Sequence, residues 1–450
     1  MTVGSRGAFW RNVRYGGAAF ALGMPTIPLL VHLPAIYAEE VGLGLTATGI
    51  ALFAARLLDV VSDPLIGIAS DRLDSPWGRW KPLILLGGVI GAVGTINLLN
   101  PEPGAGPWYL ALWASVLYLG WTLVNIPYLT WGAALSEDYD GRTRVTSVRE
   151  AFMLTGIVVA GAVPALAAAA GYGERNALSI IGWVVVGLGA LLFALLLLGV
   201  SEPGRRSLHQ IEKPFRALIG LAGNRPFRLL VGGWFVNSLA NGIPAVLFIL
   251  FMKHVLEADE LQRGILTFTY FVAGVAVIPL WLRLSNRFGK HQIWCASMAL
   301  ACLAFTVVPF LGAGDIAQFF VVTVVTGATL GADMVIPPSM QADVAEYEFL
   351  RSRHDRTSLL FAFWSMTTKI AFALSVLIAL PTLEALGFQT STSEGASNLV
   401  ALSVIYAAVP VVLKIMSIAI IWRHPLTSHK QSVVRQRLAA LEMRRMEPAL

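Results

Sequence analysis

Residues 51–72 read ALFAARLLDVVSDPLIGIASDR. Arg56, Asp59 and Asp63 interrupt this apolar run at i, i+3 and i+7, so on a helix all three face one way. The run is long enough to cross a bilayer, where charge is costly and is kept for function. Two carboxylates four residues apart cannot both ionise cheaply. A shared proton, a bound Na⁺ or a cationic partner relieves them, and Ser62 stands beside the pair as a further oxygen. The plainer alternative is an Arg–Asp network that only pins helices. It leaves one negative charge over, because a single Arg cannot neutralise two carboxylates.

Outward from this stretch, the 450 residues are 56% hydrophobic and only 13% charged, with a mean hydropathy of +0.68. A soluble protein carries about 25% charged residues. A soluble enzyme, a secreted disulfide scaffold and a disordered chain are therefore excluded. The net charge of +6 belongs to loops rather than to a nucleic-acid-binding domain, and no nucleic-acid partner is expected. Cys295 and Cys302 lie roughly 10 Å apart along one helix, too far for a disulfide.

Apolar runs of spanning length recur twelve times, among them 16–38, 46–70, 264–284, 316–341 and 399–422. The N-terminal tail and the even-numbered loops hold most of the basic residues, including Arg72, Arg79, Lys81, Arg142, Arg287 and Arg356. The odd-numbered loops hold only Arg175, Lys253 and Arg263. That asymmetry places both termini in the cytoplasm and the chain in the cell membrane as a multi-pass protein. Residues 1–200 form a first six-helix half, 201–226 a central cytoplasmic loop, 227–423 a second half and 424–450 a cytoplasmic tail. Val434, Leu438 and Leu441 give that tail the spacing of a short surface helix. Loop motifs around Arg72 and Arg142 recur around Arg287 and Arg356 at nearly one offset. The fold class is an all-α membrane protein of twelve transmembrane helices in two parallel six-helix halves, the major facilitator architecture, with a solute site between them.

Other intramembrane polar residues extend the set. Lys369 is an isolated cation well inside span 11, Arg149 opens span 5, Asp333 lies in span 10 and Lys414 in span 12. Asn237 and Asn241 share one face of span 7. Thr122 and Asn125 precede Pro127 in span 4 and can line the same cavity. Prolines 25, 28, 34, 164, 244, 279, 309 and 410 mark interrupted spans of the kind that line transport pathways.

The segment Arg56-x-x-Asp59-x-x-x-Asp63-Pro64-x-x-Gly67, followed by Gly78-Arg79-Trp80-Lys81-Pro82, resembles the glycoside–pentoside–hexuronide:cation symporter family. The stretches NIPYLTWGAAL, EDYDGRTR and ADVAEYEFLRSRHDRTSLLFAFWSMTTK are similar too, so the likeness touches both halves. The resemblance implies a cation site of Asp59 and Asp63 with Thr122, with Lys369 near the acidic pair and Arg149 approaching the substrate. It also implies gating loops built on Asp71, Arg72, Arg79, Arg142, Asp343 and Arg356 that latch the cytoplasmic side. The sugar-binding branch has acidic residues where this chain has Gly23 and Asn125, a tryptophan at Leu129, an aromatic at Met334 and an asparagine at Ser62. The coupling carboxylates persist while the sugar clamp is largely replaced.

The expected function is cation-coupled symport, with H⁺ or Na⁺ as coupling ion, of a small organic solute. By family that solute is a sugar or glycoside; the alternative is a less polar amphiphile such as a lysolipid, which relatives with the same pattern move. Gly23, Asn125, Arg149, Asn237, Asn241, Asp333 and Met334 are the candidate substrate positions. No cofactor is expected, no metal beyond a possible Na⁺, and the protein is expected to work as a monomer in the lipid bilayer. An intramembrane prenyltransferase is the competing class, since Asp59-x-x-x-Asp63 superficially fits a diphosphate-holding motif. Its second motif is poor: Asp343 is followed by Glu346 and Glu348, not by an aspartate four residues on. An enzyme is not expected.

Overall fold

The computed structural model describes residues 3–73, 75–102, 104–135, 139–202, 223–352, 354, 356–388, 398–426, 430–434 and 436–438. Among them all regular secondary structure is helical. The first half comprises α1 (Val3–Gly23), α2 (Leu33–Glu39), α3 (Leu45–Arg72), α4 (Lys81–Leu99), α5 (Pro107–Ala134), α6 (Tyr139–Ala169) and α7 (Glu174–Gly199). The second comprises α8 (Arg225–His254), α9 (Glu260–Ala276), α10 (Ile278–Phe288), α11 (Lys290–Phe305), α12 (Ile316–Ser352), α13 (Thr357–Ala385) and α14 (Leu399–Ile421).

Two spans are broken where proline predicts it. Prolines 25, 28 and 34 remove backbone donors, and between α1 and α2 the chain passes through a π-turn at Pro28–His32. The whole still makes one span, Phe9–Glu39. At Pro279 the eighth span bends by 41° into α9 and α10. Counting that bent pair as one span, the described residues make twelve. Two helices outrun the expected spans: α6 begins at Tyr139, and α12 continues to Ser352. The extra turns are polar and carry Asp343, Glu346 and Glu348 out of the apolar layer. Most of the expected central loop (203–222) and the tail beyond 438 lie outside the described residues. Of the expected tail helix, 430–434 and 436–438 are helical, Val434 is buried, and Gln431 Nε2 donates to Glu346 Oε2 at 2.6 Å.

The halves meet where α3 packs on α13 and α6 on α9. Their core is split unevenly along the membrane normal. At the end carrying the odd-numbered loops, one apolar cluster joins both halves, with Tyr37, Leu52 and Tyr118 beside Phe251, Phe319, Leu380 and Tyr406. Toward the even-numbered loops there are two clusters. One belongs to the first half (Tyr15, Trp80, Tyr128, Trp131) and the other to the second (Phe227, Trp294, Ile336, Trp364). Glycine permits the closest cross-half approach: a Cβ on Gly264 would lie 2.5 Å from the backbone nitrogen of Ala165. The two halves thus share one apolar core at the odd-loop end and have separate cores toward the other.

Candidate functional site

Helix α3 presents Arg56, Asp59 and Asp63 on one stripe, as its periodicity predicts, and the stripe faces α5 and α13. Asp59 is buried and Asp63 half-buried. Lys369 of α13 reaches across the halves and places its Nζ 2.7 Å from Asp63 Oδ2 and 3.1 Å from Asp59 Oδ1. Thr122 Oγ1 on α5 lies 2.9 Å from Oδ1 of each carboxylate. Arg56 Nη1 is 3.7 Å from Asp59 Oδ2, and its guanidinium lies 4.0 Å above the Tyr118 ring. Two cations therefore face two carboxylates, so the negative charge that Arg56 alone left over is balanced by Lys369. Tyr118, which sequence reasoning missed, supplies the aromatic face that holds the guanidinium.

Ser62 sits beside the pair in sequence but is turned away. Its hydroxyl donates to the Asp59 backbone carbonyl at 3.0 Å, the local bond that serine makes within a helix. A Cβ on Gly23 would sit 2.3 Å from the carbonyl oxygen of Met153, so the position is a backbone contact between α1 and α6.

Asn237, Asn241 and Asp333 come together, but on one another. Asp333 Oδ2 accepts from Asn237 (3.1 Å) and Asn241 (2.7 Å), and its Oδ1 accepts from Trp294 Nε1 at 2.6 Å. The amide oxygens of both asparagines accept from Lys414 Nζ at 3.1 and 2.7 Å. This is a relay from a cation through two amides to a carboxylate, inside the second half. Its groups lie on α8, α11, α12 and α14, and both Asp333 oxygens accept hydrogen bonds within it. By contrast, Asn125 is half-buried, one turn from Thr122, with no hydrogen-bond partner among the described residues. Arg149 pairs with the neighbouring Glu150, and its Nε has no partner among the described residues. Met334 is half-buried beside Asp333.

The gating residues divide. Asp343 Oδ2 takes Lys290 Nζ at 2.5 Å, Arg356 Nη1 donates to Glu348 Oε1 at 2.7 Å, and Arg79 Nε donates to the Ser70 carbonyl at 2.9 Å. Each of these contacts stays within one half. The side chains of Asp71, Arg72 and Arg142 lie outside the described residues. At the odd-loop end the ion pairs cross: Glu39 bonds both Lys253 and His254, Arg263 Nε reaches Glu174 Oε1 at 2.5 Å, and Glu384 Oε2 accepts from the Thr46 backbone N–H at 2.7 Å. Sequence reasoning passed over these groups. The signal was there, because Lys253 and Arg263 are two of the three exceptions to the basic-loop asymmetry.

Two six-helix halves with a charged site on their seam define a secondary transporter of the major facilitator class, not an enzyme. Residues 14–428 match the model of the MFS/sugar transport protein family, and the chain belongs to that family. It is 23% identical to the putative glycoside/cation symporter YagG of Escherichia coli, covering 89% of this chain and 88% of that protein. It is 24% identical to the sodium-dependent lysophosphatidylcholine symporter 1 of Homo sapiens, covering 88% and 79%. A crystal structure of the nucleoside transporter NupG shares the fold with a TM-score of 0.69 and 14% identity, covering 92% of this chain and 99% of that one.

Proposed function

We propose that the protein is a cation-coupled symporter whose coupling site is Asp59, Asp63 and Thr122, with Lys369 as the competing cation. The observation that carries this is the Lys369 ammonium lying between two carboxylates of the other half. An incoming cation and this ion pair compete for the same oxygens. Cation binding therefore releases α13 from α3 and lets the halves rock, while loss of the cation restores the cross-half bond. The end with the even-numbered loops is cytoplasmic on the charge asymmetry, so the conformation described above faces inward.

The coupling ion is H⁺ or Na⁺: Thr122 Oγ1, 2.9 Å from Oδ1 of each carboxylate, adds a third oxygen to the site, and the sodium dependence in the name of the human relative supports Na⁺. The substrate is a small organic solute poorer in hydroxyls than a typical sugar. This rests on Asn125 standing where the sugar-binding branch has a carboxylate, and on Asp333 being spent within the second half. Asn125 and Arg149 are the polar groups we assign to it, with Met334 as an apolar wall.

The test is uptake into proteoliposomes under imposed H⁺ or Na⁺ gradients, for the chain and for Asp59→Cys and Asp63→Cys. Both variants should lose concentrative uptake while gradient-free exchange persists. Gradient-driven accumulation surviving both changes would sink the assignment.

A further inference from the structure

Away from the seam between the halves, α4 and α7 diverge over a floor of α1 and α5 and enclose a groove of about 680 Å³. The stretch GGVIGAVG of α4 explains it. Gly87, Gly91 and Gly94 press against α5, where a Cβ on Gly87 would meet Leu123 at 2.6 Å and one on Gly94 would meet the Leu117 backbone at 2.6 Å. Gly88 points the other way, and a Cβ there would meet nothing within 4 Å. One run of small residues thus both draws α4 onto α5 and keeps the groove open. The groove extends along α4 from Lys81 to Thr95, roughly 21 Å at the rise of a helix and longer than the ~15 Å half-thickness of a bilayer core. Its rim residues Leu85, Val89 and Leu198 are exposed on the lipid-facing side.

The mouth is polar on one side only. Trp77, 69% exposed, and Lys81 stand at the even-loop end, the usual pairing of an interfacial aromatic with a basic residue. The Lys81 ammonium is 5.7 Å from the Trp131 ring and has no ion-pair partner among the described residues. The nearby carboxylate, Glu202, is engaged elsewhere, accepting the backbone N–H groups of Arg79, Trp80 and Lys81 at 2.6, 3.0 and 2.9 Å. An apolar channel of acyl-chain length, open to the bilayer and headed by one cation that has no carboxylate partner among the described residues, has the chemistry of a single class of ligand.

We infer that the groove between α4 and α7 binds an anionic phospholipid, with one acyl chain along Gly88 and Val89 and the phosphate on Lys81. Its residues are distinct from those of the coupling site, so it stands or falls independently of the transport reading.

The experiment is native mass spectrometry of the purified full chain after equilibration with a 1:1 mixture of phosphatidylglycerol and phosphatidylcholine of identical acyl chains. One lipid per chain should survive activation, with phosphatidylglycerol enriched about fivefold, the factor set by one basic residue at roughly 1 kcal/mol. Lys81→Gln should bring that ratio near one. Gly88→Trp should cut retention at least tenfold, and Gly87 and Gly91 are left untouched so that the α4–α5 contact persists. Gly187→Trp is the matched control: it also projects into open space, on α7 but outside the groove, and should retain lipid. If Gly88→Trp does not fold, Gly88→Leu with the thermal shift given by phosphatidylglycerol alone replaces it. Equal retention of both lipids by the unaltered chain, full retention by the Gly88 variant, or a second copy of the chain occupying the face would each overturn the proposal.

Discussion

At the odd-loop end, Glu39, Glu174 and Glu384 bond Lys253 and His254, Arg263, and the α3 backbone across the halves. At the even-loop end, Lys290–Asp343, Arg351–Glu348 and Arg356–Glu348 stay within the second half, and Glu202 caps α4 within the first. The apolar cores follow the same division, one shared and two private. A transporter that alternates access must be able to part either end, so the shared core at the odd-loop end has to open in its turn. That end is also held by pairs at helix ends and by close approaches at Gly49 and Gly264.

The largest expected effect tests whether the second half is self-sufficient. Asp333→Ala leaves Lys414 buried without its counter-charge and should cost about 3–5 kcal/mol, read as a lowered unfolding midpoint of the purified protein. Replacing Asp333 and Lys414 together by leucine should recover the part due to the unpaired charge, while Asn237, Asn241 and Trp294 still lack their partners. A single variant as stable as the parent would show that the relay does not hold this half together.

Next is the odd-loop end. Gly264→Leu drives a side chain into the Ala165 backbone and should cost about 1–3 kcal/mol of the seam, moving the population toward the outward-facing form by about tenfold. Thiol labelling of a cysteine placed at Ile27, beneath the seam, reads that opening; unchanged labelling would break the comparison.

Glu39→Gln removes the acceptor shared by Lys253 and His254. Because this pair sits at a helix end near solvent, its effect should be smaller, about 1 kcal/mol or a fivefold rise in the same labelling.

The smallest effect is a pH dependence. Partial burial of the Glu40 carboxyl, and then repulsion from Glu174, raise its pKa above the ordinary glutamate value, against Lys253 and Arg175, with Glu260 adding to the rise. A carboxyl raised in the folded state is destabilising when ionised, so stability is gained as pH falls through that raised value. Acidification from neutrality should slightly tighten the odd-loop end, and Glu40→Gln should remove that part of the pH response.

The charged stripe was legible because helical periodicity alone puts Arg56, Asp59 and Asp63 on one face, and the resemblance brought Lys369 and Thr122 to it. Ser62 was misjudged because adjacency in sequence says nothing of where a hydroxyl points once an i−3 carbonyl is in reach. Gly23 was treated as a vacated ligand position, whereas its lack of a side chain is what lets α1 touch α6. Asp333 looked free because its partners Asn237, Asn241 and Trp294 lie far away in the chain, on other helices.

The sequence by itself determined the class, the number of spans and the charged stripe on α3. Those depend on composition and on repeats of 3.6 residues, which are local. Only the tertiary structure decided which charges are shared between halves and which are spent within one. It also decided that the molecule is closed at the odd-loop end, and that a glycine run on α4 opens a groove on its other face. The physical reason is that electrostatic partners and close contacts depend on distance in space. In a bundle of long helices, residues far apart in the chain become neighbours only after packing.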